Sequence, residues 1–356
     1  MLRRSLLALS IAPSAVLAEV PTVVTDIAPI HGLVSQVMGE LGEPTILVPA
    51  GSSPHNYSLR PSQARALSKA DLVVWVGPAL TPGIETKLET LAADARHIEL
   101  LGQPELHTHE FRDEAVFGGG HDHHEDEHEG EAHDDHDEDH EEAHHDEEHH
   151  DDEAHEDHAE DAHEDHDDHK DEHAEHDDHG HAGGVDPHVW LDPENAQATL
   201  KLVAQALTEL DPDNAATYQT NLDAALKDLE AAQIDVFALL EPVKGQPLAV
   251  YHDAYQYFEE AFGLNMVGAI SNSDDLAPGP RRLAELKERF AENTPVCILA
   301  EPAADSRLVD VVAEAASDGL REVEIDPLGA HLDEGLTFYP ALLRDMATRV
   351  AACVKG

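Results

Sequence analysis

Three histidines lie at chain positions from which an imidazole can reach a bound ligand. His55 follows a predicted strand by a few residues, His252 comes directly after another, and His188 lies just before a predicted helix start. In open α/β sheets, loops at the carboxyl ends of the strands converge on one crevice. A lone histidine at a strand end is more often a hydrogen-bonded structural residue, so this spacing alone does not establish a site.

A carboxylate occupies the same kind of position. Asp326 directly follows the predicted strand Glu322–Ile325. Three imidazoles and one oxygen form a good shell for zinc, which is borderline soft and prefers a tetrahedron. The fourth ligand of such a shell is either Asp326 or a water molecule. Glu301 and Asp253 are candidates for orienting the imidazoles, and a purely structural role is the alternative for each.

Other histidines occupy places that suit a ligand less well. His31 falls inside a helical pattern, and His97 opens a predicted strand. We expect both to be structural. His331 follows Asp326 closely along the chain, but it is left outside the predicted site.

Two stretches of the chain alternate short β-rich runs with helical patterns, one from Pro21 to Leu101 and one beyond Gly245. This alternation predicts βα units and mostly parallel sheets. The predicted strands are Thr22–Thr25, Thr45–Val48, Asp71–Val76, His97–Leu100, Leu248–Tyr251, Asn265–Ala269, Val296–Leu299 and Glu322–Ile325. The predicted helices are Ile27–Glu40, Pro61–Lys69, Ile84–Ala92, Arg281–Glu292, Arg307–Ala316 and Tyr339–Val354.

A long helical pattern separates the two βα stretches. Asp192-Pro193-Glu194 and Asp211-Pro212-Asp213 both have the form of a helix start, with an acidic N-cap before a proline. From Tyr218 to Leu240, apolar residues then recur at helical spacing without a breaker. We therefore predict an α/β fold in which two βα lobes with mostly parallel sheets are joined by a long rigid helix, with the metal site in the cleft between the lobes. The predicted lobes are residues 19–106 with 182–210 and residues 244–356, and the joining helix spans 211–243.

Residues 107–181 show no periodic pattern and have an extreme composition. They hold 22 of the chain's 28 histidines, and between His121 and His179 there are 32 Asp or Glu against a single lysine. Most of the chain's net charge of −54 therefore lies here. Because such a segment cannot bury enough apolar surface to offset its ordering entropy, we predict a disordered insert. Plain acidic linkers do not carry so many histidines, so the insert is predicted to capture metal ions. The charge argues against nucleic acid or anionic lipid as a partner and favours cations.

Residues 1–18 have the form of a secretory signal peptide. Arg3 and Arg4 precede the apolar run Ser5–Ile11, and Val16-Leu17-Ala18 is an acceptable cleavage site. The apolar run is well short of the ~20 residues that a membrane-spanning helix needs. No cysteine near the cleavage point offers an acceptor for a lipid. We expect a freely soluble, exported protein.

The chain has two cysteines, Cys297 and Cys353. In an exported protein, a disulfide between them is favoured over two free thiols. They are too few and too far apart in sequence to suggest a cysteine-based zinc site.

Several segments resemble motifs of the cluster A-I solute-binding proteins, and together they span nearly all of the mature chain. These segments are Ala50–Ser62, Asp71–Pro78, Asp186–Pro193, Tyr251–Tyr255, Ala300–Pro302, Asp326–Gly329 and Cys353–Gly356. The resemblance implies two βα lobes bridged by a long helix, a mobile histidine-rich loop and a Cys297–Cys353 disulfide. It also implies that zinc is held in the interlobe cleft by His55, His188 and His252.

The resemblance further bears on the choice of metal. Manganese-binding relatives usually have a carboxylate where this chain has His252, and a third imidazole shifts the preference toward zinc. Some zinc-binding members carry a glutamate just before the first histidine, but this chain has Pro54 there. The fourth ligand is therefore Asp326 or water, and Asp326 is slightly favoured.

The function implied is that of a monomeric periplasmic carrier, which binds zinc and delivers it to the permease of an ABC importer. The chain contains no G-x-x-x-x-G-K-[ST] motif, so the importer's ATPase would be a separate polypeptide. The alternatives are a periplasmic zinc buffer or metallochaperone without a transporter, and a manganese-binding transporter component.

A metalloenzyme is a third class of function, but it is not expected. The segments His124–His128 and His140–His144 both match the H-E-x-x-H pattern of zinc proteases. That pattern works only on an ordered helix with a third ligand and a substrate cleft. In a segment so rich in His and Glu, chance matches are expected.

Overall fold

The computed structural model describes residues 20–112, 114–117, 184–272, 277–302, 304–314 and 320–356. The predicted signal peptide, most of the histidine-rich insert and both H-E-x-x-H matches lie outside these ranges, so the statements about them stay predictions. Among the described residues, no helix is both long enough and apolar enough to cross a membrane.

The first sheet contains four parallel strands in the order β2-β1-β3-β4. All four residues of β3 are buried, as is typical of a parallel strand covered on both faces. The strands are β1 (Val23–Thr25), β2 (Thr45–Ile46), β3 (Leu72–Trp75) and β4 (Arg96–Glu99). The helices α1 (Ala28–Met38), α2 (Pro61–Leu67) and α3 (Pro82–Leu91) connect them.

The second sheet also contains four parallel strands, in the order β6-β5-β7-β8. The strands are β5 (Pro247–His252), β6 (Asn265–Ser271), β7 (Cys297–Ala300) and β8 (Arg321–Glu324). The helices of this part are α6 (Gln256–Phe262), α7 (Pro280–Glu292), α8 (Ser306–Ala313) and α9 (Phe338–Lys355). The prediction of an α/β fold with two parallel sheets is confirmed.

Two long helices lie between the sheets in the chain, α4 (Pro193–Leu210) and α5 (Ala215–Leu240). The predicted start of α4 is correct, since the Asp192 carboxylate accepts a hydrogen bond from the Glu194 amide at 2.7 Å. Helix α5 has 26 residues and buries one side chain every three or four positions. It packs against α1, α4 and α9, so it is supported along one face by helices from both halves of the chain.

The predicted helix start at Asp211 is confirmed in its position, since Asp211 is the N-cap residue of a 3₁₀ turn that leads into α5, but not in its side-chain bonding. Asp211 ends α4, and its side chain caps no backbone amide. Its carboxylate instead accepts hydrogen bonds from the Tyr218 hydroxyl at 2.9 Å and the Asn214 amide group at 2.7 Å. A 3₁₀ turn, Pro212–Asn214, separates Asp211 from α5. Through the bond to Tyr218, the Asp211 side chain links the end of α4 to α5.

The two cysteines form a disulfide, as predicted. Cys297 opens β7 and Cys353 lies in the last turn of α9, with their Cα atoms 6.0 Å apart. Both residues are buried. The bond therefore ties the C-terminal helix to the sheet that it covers.

We predict that Cys353→Ser lowers the melting temperature by at least several degrees without removing the metal site. The bond closes a loop with a sequence separation of 56, and in the chain-entropy model a loop of this size stabilises the fold by about 4 kcal/mol. Ala352→Ser changes an exposed neighbour on the same helix and is the matched control. Thermal unfolding measures the effect, and two free thiols in mass spectra of the protein purified from its native host would contradict it.

Candidate metal centre

His252 is positioned by the centre of the second sheet. It is the last residue of β5, which lies between β6 and β7, and its side chain is 3% exposed. Glu301 follows β7 at the same carboxyl edge, and its Oε1 lies 3.3 Å from His252 Nδ1. A carboxylate in this place can orient an imidazole, which is the role considered for Glu301 from the sequence.

His188 is held by a carboxylate two residues earlier in the chain. The Nδ1 atom of His188 lies 2.7 Å from Asp186 Oδ1, and the same oxygen accepts the His188 backbone N–H at 3.0 Å. The ring packs against Trp190, with 5.2 Å between the ring centroids. A carboxylate bonded to one ring nitrogen fixes the tautomer and favours the other nitrogen, Nε2, as a ligand atom.

Asp186 opens the segment Asp186–Pro193, which resembles a family motif, but no role was predicted for its side chain. Its side chain is 1% exposed. Burial raises the pKa of Asp186 to about 6, although the His188 amide favours the ionised form. The signal for this role is the spacing itself, because an aspartate two residues before a candidate ligand can reach both its amide and its ring.

His55 lies in the loop between β2 and α2 and is half-buried. Its backbone N–H donates to Ser53 Oγ at 3.3 Å. Gln63 fixes the rest of the loop, since its side chain bonds the Tyr57 hydroxyl, the Arg60 amide and the Leu47 carbonyl. The sequence patterns did not single out Gln63.

The three imidazoles come together although they lie far apart in the sequence. Ring centroids are 5.9 Å apart for His55 and His188, 5.9 Å for His55 and His252, and 5.1 Å for His188 and His252. One nitrogen of each ring lies within 4.8 Å of the other two. Zinc bonds of about 2.0–2.1 Å in a tetrahedron require nitrogens about 3.3 Å apart, so modest side-chain movements suffice.

This trio is the one group of at least three His, Cys, Asp or Glu in the described part of the chain that meets the 4.8 Å limit. Asp326 is therefore not grouped with the imidazoles. Its Oδ1 accepts the Leu328 amide at 2.8 Å and its Oδ2 accepts the Ala330 amide at 2.6 Å, which holds the loop after β8. A role for Asp326 as fourth ligand stays a prediction.

The carboxylates of Glu301 and Asp326 both act on the Tyr255 hydroxyl. Burial, followed by the nearby carboxylates of Glu301 and Asp326, raises the pKa of the Tyr255 hydroxyl well above its usual value. The Tyr255 hydroxyl donates to Glu301 Oε1 at 3.4 Å. A neutral phenol thus donates to the carboxylate that lies beside His252.

The remaining candidates have other partners. Asp253 forms a two-point ion pair with Arg112. The His31 ring bonds the Pro44 carbonyl at 3.1 Å and the His97 ring bonds the Ala92 carbonyl at 2.8 Å. His331 pairs with Asp345 at 3.0 Å. None of these three histidines belongs to the described metal-binding group.

Comparisons with known proteins agree with the fold. Residues 23–353 match the family described as "ZnuA: Zinc-uptake complex component A periplasmic". The high-affinity zinc uptake system protein ZnuA of Paracoccus denitrificans (strain Pd 1222) is 42% identical over 337 residues, or 95% of this chain and 93% of that protein.

Solved structures share the two-lobe architecture. A crystal structure of ZnuA has a TM-score of 0.64 at 20% identity and covers 93% of this chain and 98% of that one. The solute-binding protein FpvC from Pseudomonas aeruginosa, in complex with Mn²⁺, has a TM-score of 0.67 at 18% identity, with 94% and 99% covered. At these identities the likeness concerns the fold alone. The match to the family over nearly the whole sequence and the close relative together establish that the chain belongs to the ZnuA family of periplasmic zinc-uptake components.

Proposed function

We propose that this chain binds zinc in the periplasm through His55, His188 and His252 and delivers it to the permease of an ABC importer. The observation that carries the proposal is the meeting of three imidazoles, one nitrogen of each within 4.8 Å of the others. Two of these histidines, His188 and His252, are almost fully buried. Membership of the zinc-uptake family supports the same cargo.

The donor atoms favour zinc over manganese. Imidazole nitrogens suit zinc, whereas manganese prefers carboxylate, carbonyl and water oxygens. Both oxygens of Asp326 already accept backbone amides. Each carboxylate oxygen keeps a second lone pair, so Asp326 can hold its loop and also ligate a metal ion, and Asp326 and water both stay open as the fourth ligand.

The positions of the ligand residues in the fold support a role in delivering zinc. His55 comes from the loop after β2 of the first sheet, and His252 ends β5 of the second. A bound ion would therefore join loops from the two lobes, and movement of one loop away from the other would remove a ligand. We propose a monomeric carrier, not an enzyme, that works with a permease and a separate ATPase.

We predict that zinc affinity falls at least about 100-fold between pH 7.5 and pH 5.0. An imidazole must be neutral to ligate, and histidine side chains in peptides take up a proton near pH 6.5. Asp186, whose pKa burial raises to about 6, is protonated over the same range and then no longer supports the His188 ring as a carboxylate. Competition with a chelator of known pH dependence measures the affinity. An affinity that stays level over this range would contradict a three-histidine site.

We predict that His252→Glu loses much more zinc affinity than manganese affinity, because the change replaces a nitrogen donor with harder oxygens.

His55→Ala and His188→Ala are each expected to weaken zinc binding at least about 100-fold, since each removes a ligand. His97→Ala and His331→Ala are the matched controls, because those rings bond Ala92 and Asp345 instead.

Competition titrations with zinc and manganese should use protein that lacks residues 120–178, whose many histidines would mask the centre. The described residues on both sides of this segment belong to one compact unit, so the deletion leaves that unit intact. Should His252→Glu bind zinc as tightly as the parent protein, His252 is not a ligand and the proposed site is wrong.

A further inference from the structure

The N-terminal root of the histidine-rich insert lies against both ligand-bearing regions of the chain. We call this root, residues 106–112 and 114–117, the strap. At its start, Asn195 of α4 holds the His107 backbone in two hydrogen bonds. The Asn195 Oδ1 accepts the His107 amide at 2.7 Å, and the Asn195 side-chain amide donates to the His107 carbonyl at 2.9 Å. The strap is thereby fixed to the helix that follows His188.

The middle of the strap fixes the backbone of Asp186, the residue that orients His188. The Asp186 amide donates to the His109 carbonyl at 2.8 Å, and an antiparallel bridge joins Glu110 to Val185. The Tyr257 hydroxyl donates to the Asp186 carbonyl at 2.8 Å and accepts the His109 amide at 3.0 Å. Both backbone groups of Asp186 are therefore held by the strap or by Tyr257.

Further along, Arg112 binds the residue next to His252. Its guanidinium forms a two-point pair with Asp253, with Nε 2.9 Å from Oδ2, and Nη1 donates to Glu259 at 2.6 Å. The guanidinium also lies 3.7 Å from the centroid of the Phe117 ring. The Asp253 residue is 2% exposed, so its carboxylate would be costly to leave without a cation.

The end of the strap pairs with the edge of the second sheet through an isolated β-bridge. Ala269 donates its amide to the Ala115 carbonyl at 3.1 Å, and Phe117 donates its amide to the Val267 carbonyl at 3.1 Å. The bridge between Val116 and Gly268 is antiparallel. Strand β6 is an edge strand, so the strap pairs part of an edge that would otherwise be open.

Gly268 permits this close approach. A Cβ atom at position 268 would lie 2.6 Å from the Ala115 carbonyl oxygen of the strap and 2.8 Å from Cδ2 of the buried Leu286. A methyl group here would therefore press on the strap backbone and on one core side chain, while it changes no ligand residue and no charge.

We propose that the strap is a positioning element of the metal centre, which holds His188 and His252 at the separation that zinc needs. Arg112 acts as a positioning residue through Asp253, and the strap backbone acts through Asp186. This inference rests on the proposed zinc site. It also means that a deletion of the insert must begin after Phe117, because a deletion of 110–180 would remove most of the strap together with the insert.

The test uses the protein that lacks residues 120–178 but keeps the strap, carrying Arg112→Met or Gly268→Ala, with Arg344→Met and Gly279→Ala as matched controls. Arg344 pairs with exposed Asp235 far from the strap in sequence, and a Cβ atom at Gly279 meets nothing within 4 Å. One equivalent of Co²⁺ reports the coordination geometry through its visible spectrum, and transfer of zinc to a chelator reports the release rate. Thermal unfolding identifies any loss of fold.

We expect both strap variants to release zinc about tenfold faster than the parent and to change the Co²⁺ spectrum, as happens when a partner of a metal ligand is removed. Arg112→Lys, which keeps the charge but not the two-point contact, should fall between parent and Arg112→Met. The controls should match the parent. If Arg112→Met does not fold, Gly268→Ala decides the matter alone.

Parent-like spectra and release rates in Gly268→Ala would overturn the inference. A His252→Ala variant in the same series separates this result from failure of the proposed function. If His252→Ala loses the tight site while the strap variants behave like the parent, the proposed function stands and the positioning role is wrong. If His252→Ala keeps the tight site, the proposed function itself is wrong.

Discussion

Three imidazoles from positions 55, 188 and 252 must be held a few ångströms apart, and this requirement orders much of the surrounding structure. Their rings lie 5.1–5.9 Å apart between centroids. Neutral imidazoles do not repel one another as charges would, but two of them are buried and need polar partners. The carboxylates of Asp186 and Glu301 lie beside these two rings and supply that polarity.

The fold meets this requirement by bringing the carboxyl edges of two parallel sheets to one place. A central strand that ends in His252 cannot shift without disturbing both neighbours, β6 and β7. The long helix α5 packs on helices from both halves, and the disulfide ties α9 to the second sheet. The ligand residues thus lie on elements that have their own stabilising contacts. Binding an ion therefore costs little conformational entropy in these side chains and loops.

Much of this could be predicted from the sequence because it depends on local patterns. Continuous apolar runs predicted the parallel strands, and their ends differ from the observed ones by one or two residues because hydrogen-bond pairing sets them. Helix α6 was not predicted, since seven residues give too few turns for a periodic signal. The strand-end rule predicted the region of His252, and the family resemblance supplied the full ligand set.

The parts that the sequence did not reveal depend on distant partners. Arg112 and Asp253 are 141 residues apart, and no local pattern links an arginine at the edge of an acidic insert to a carboxylate beside a candidate ligand. Asp326 was placed correctly at a strand end, but its bonds to Leu328 and Ala330 depend on the loop conformation. The helix start at Asp211 was predicted in the right place, but the bonding of its carboxylate was not, because Tyr218 and Asn214 engage it in place of a backbone amide.

The most direct test of the central claim is a crystal structure of the zinc-loaded protein with anomalous diffraction data collected on both sides of the zinc edge. The account predicts one strong zinc peak with nitrogens of His55, His188 and His252 each about 2.0–2.1 Å away. It also predicts one oxygen in the fourth position. A peak bound only by oxygens, or one that lies away from these three rings, would contradict it.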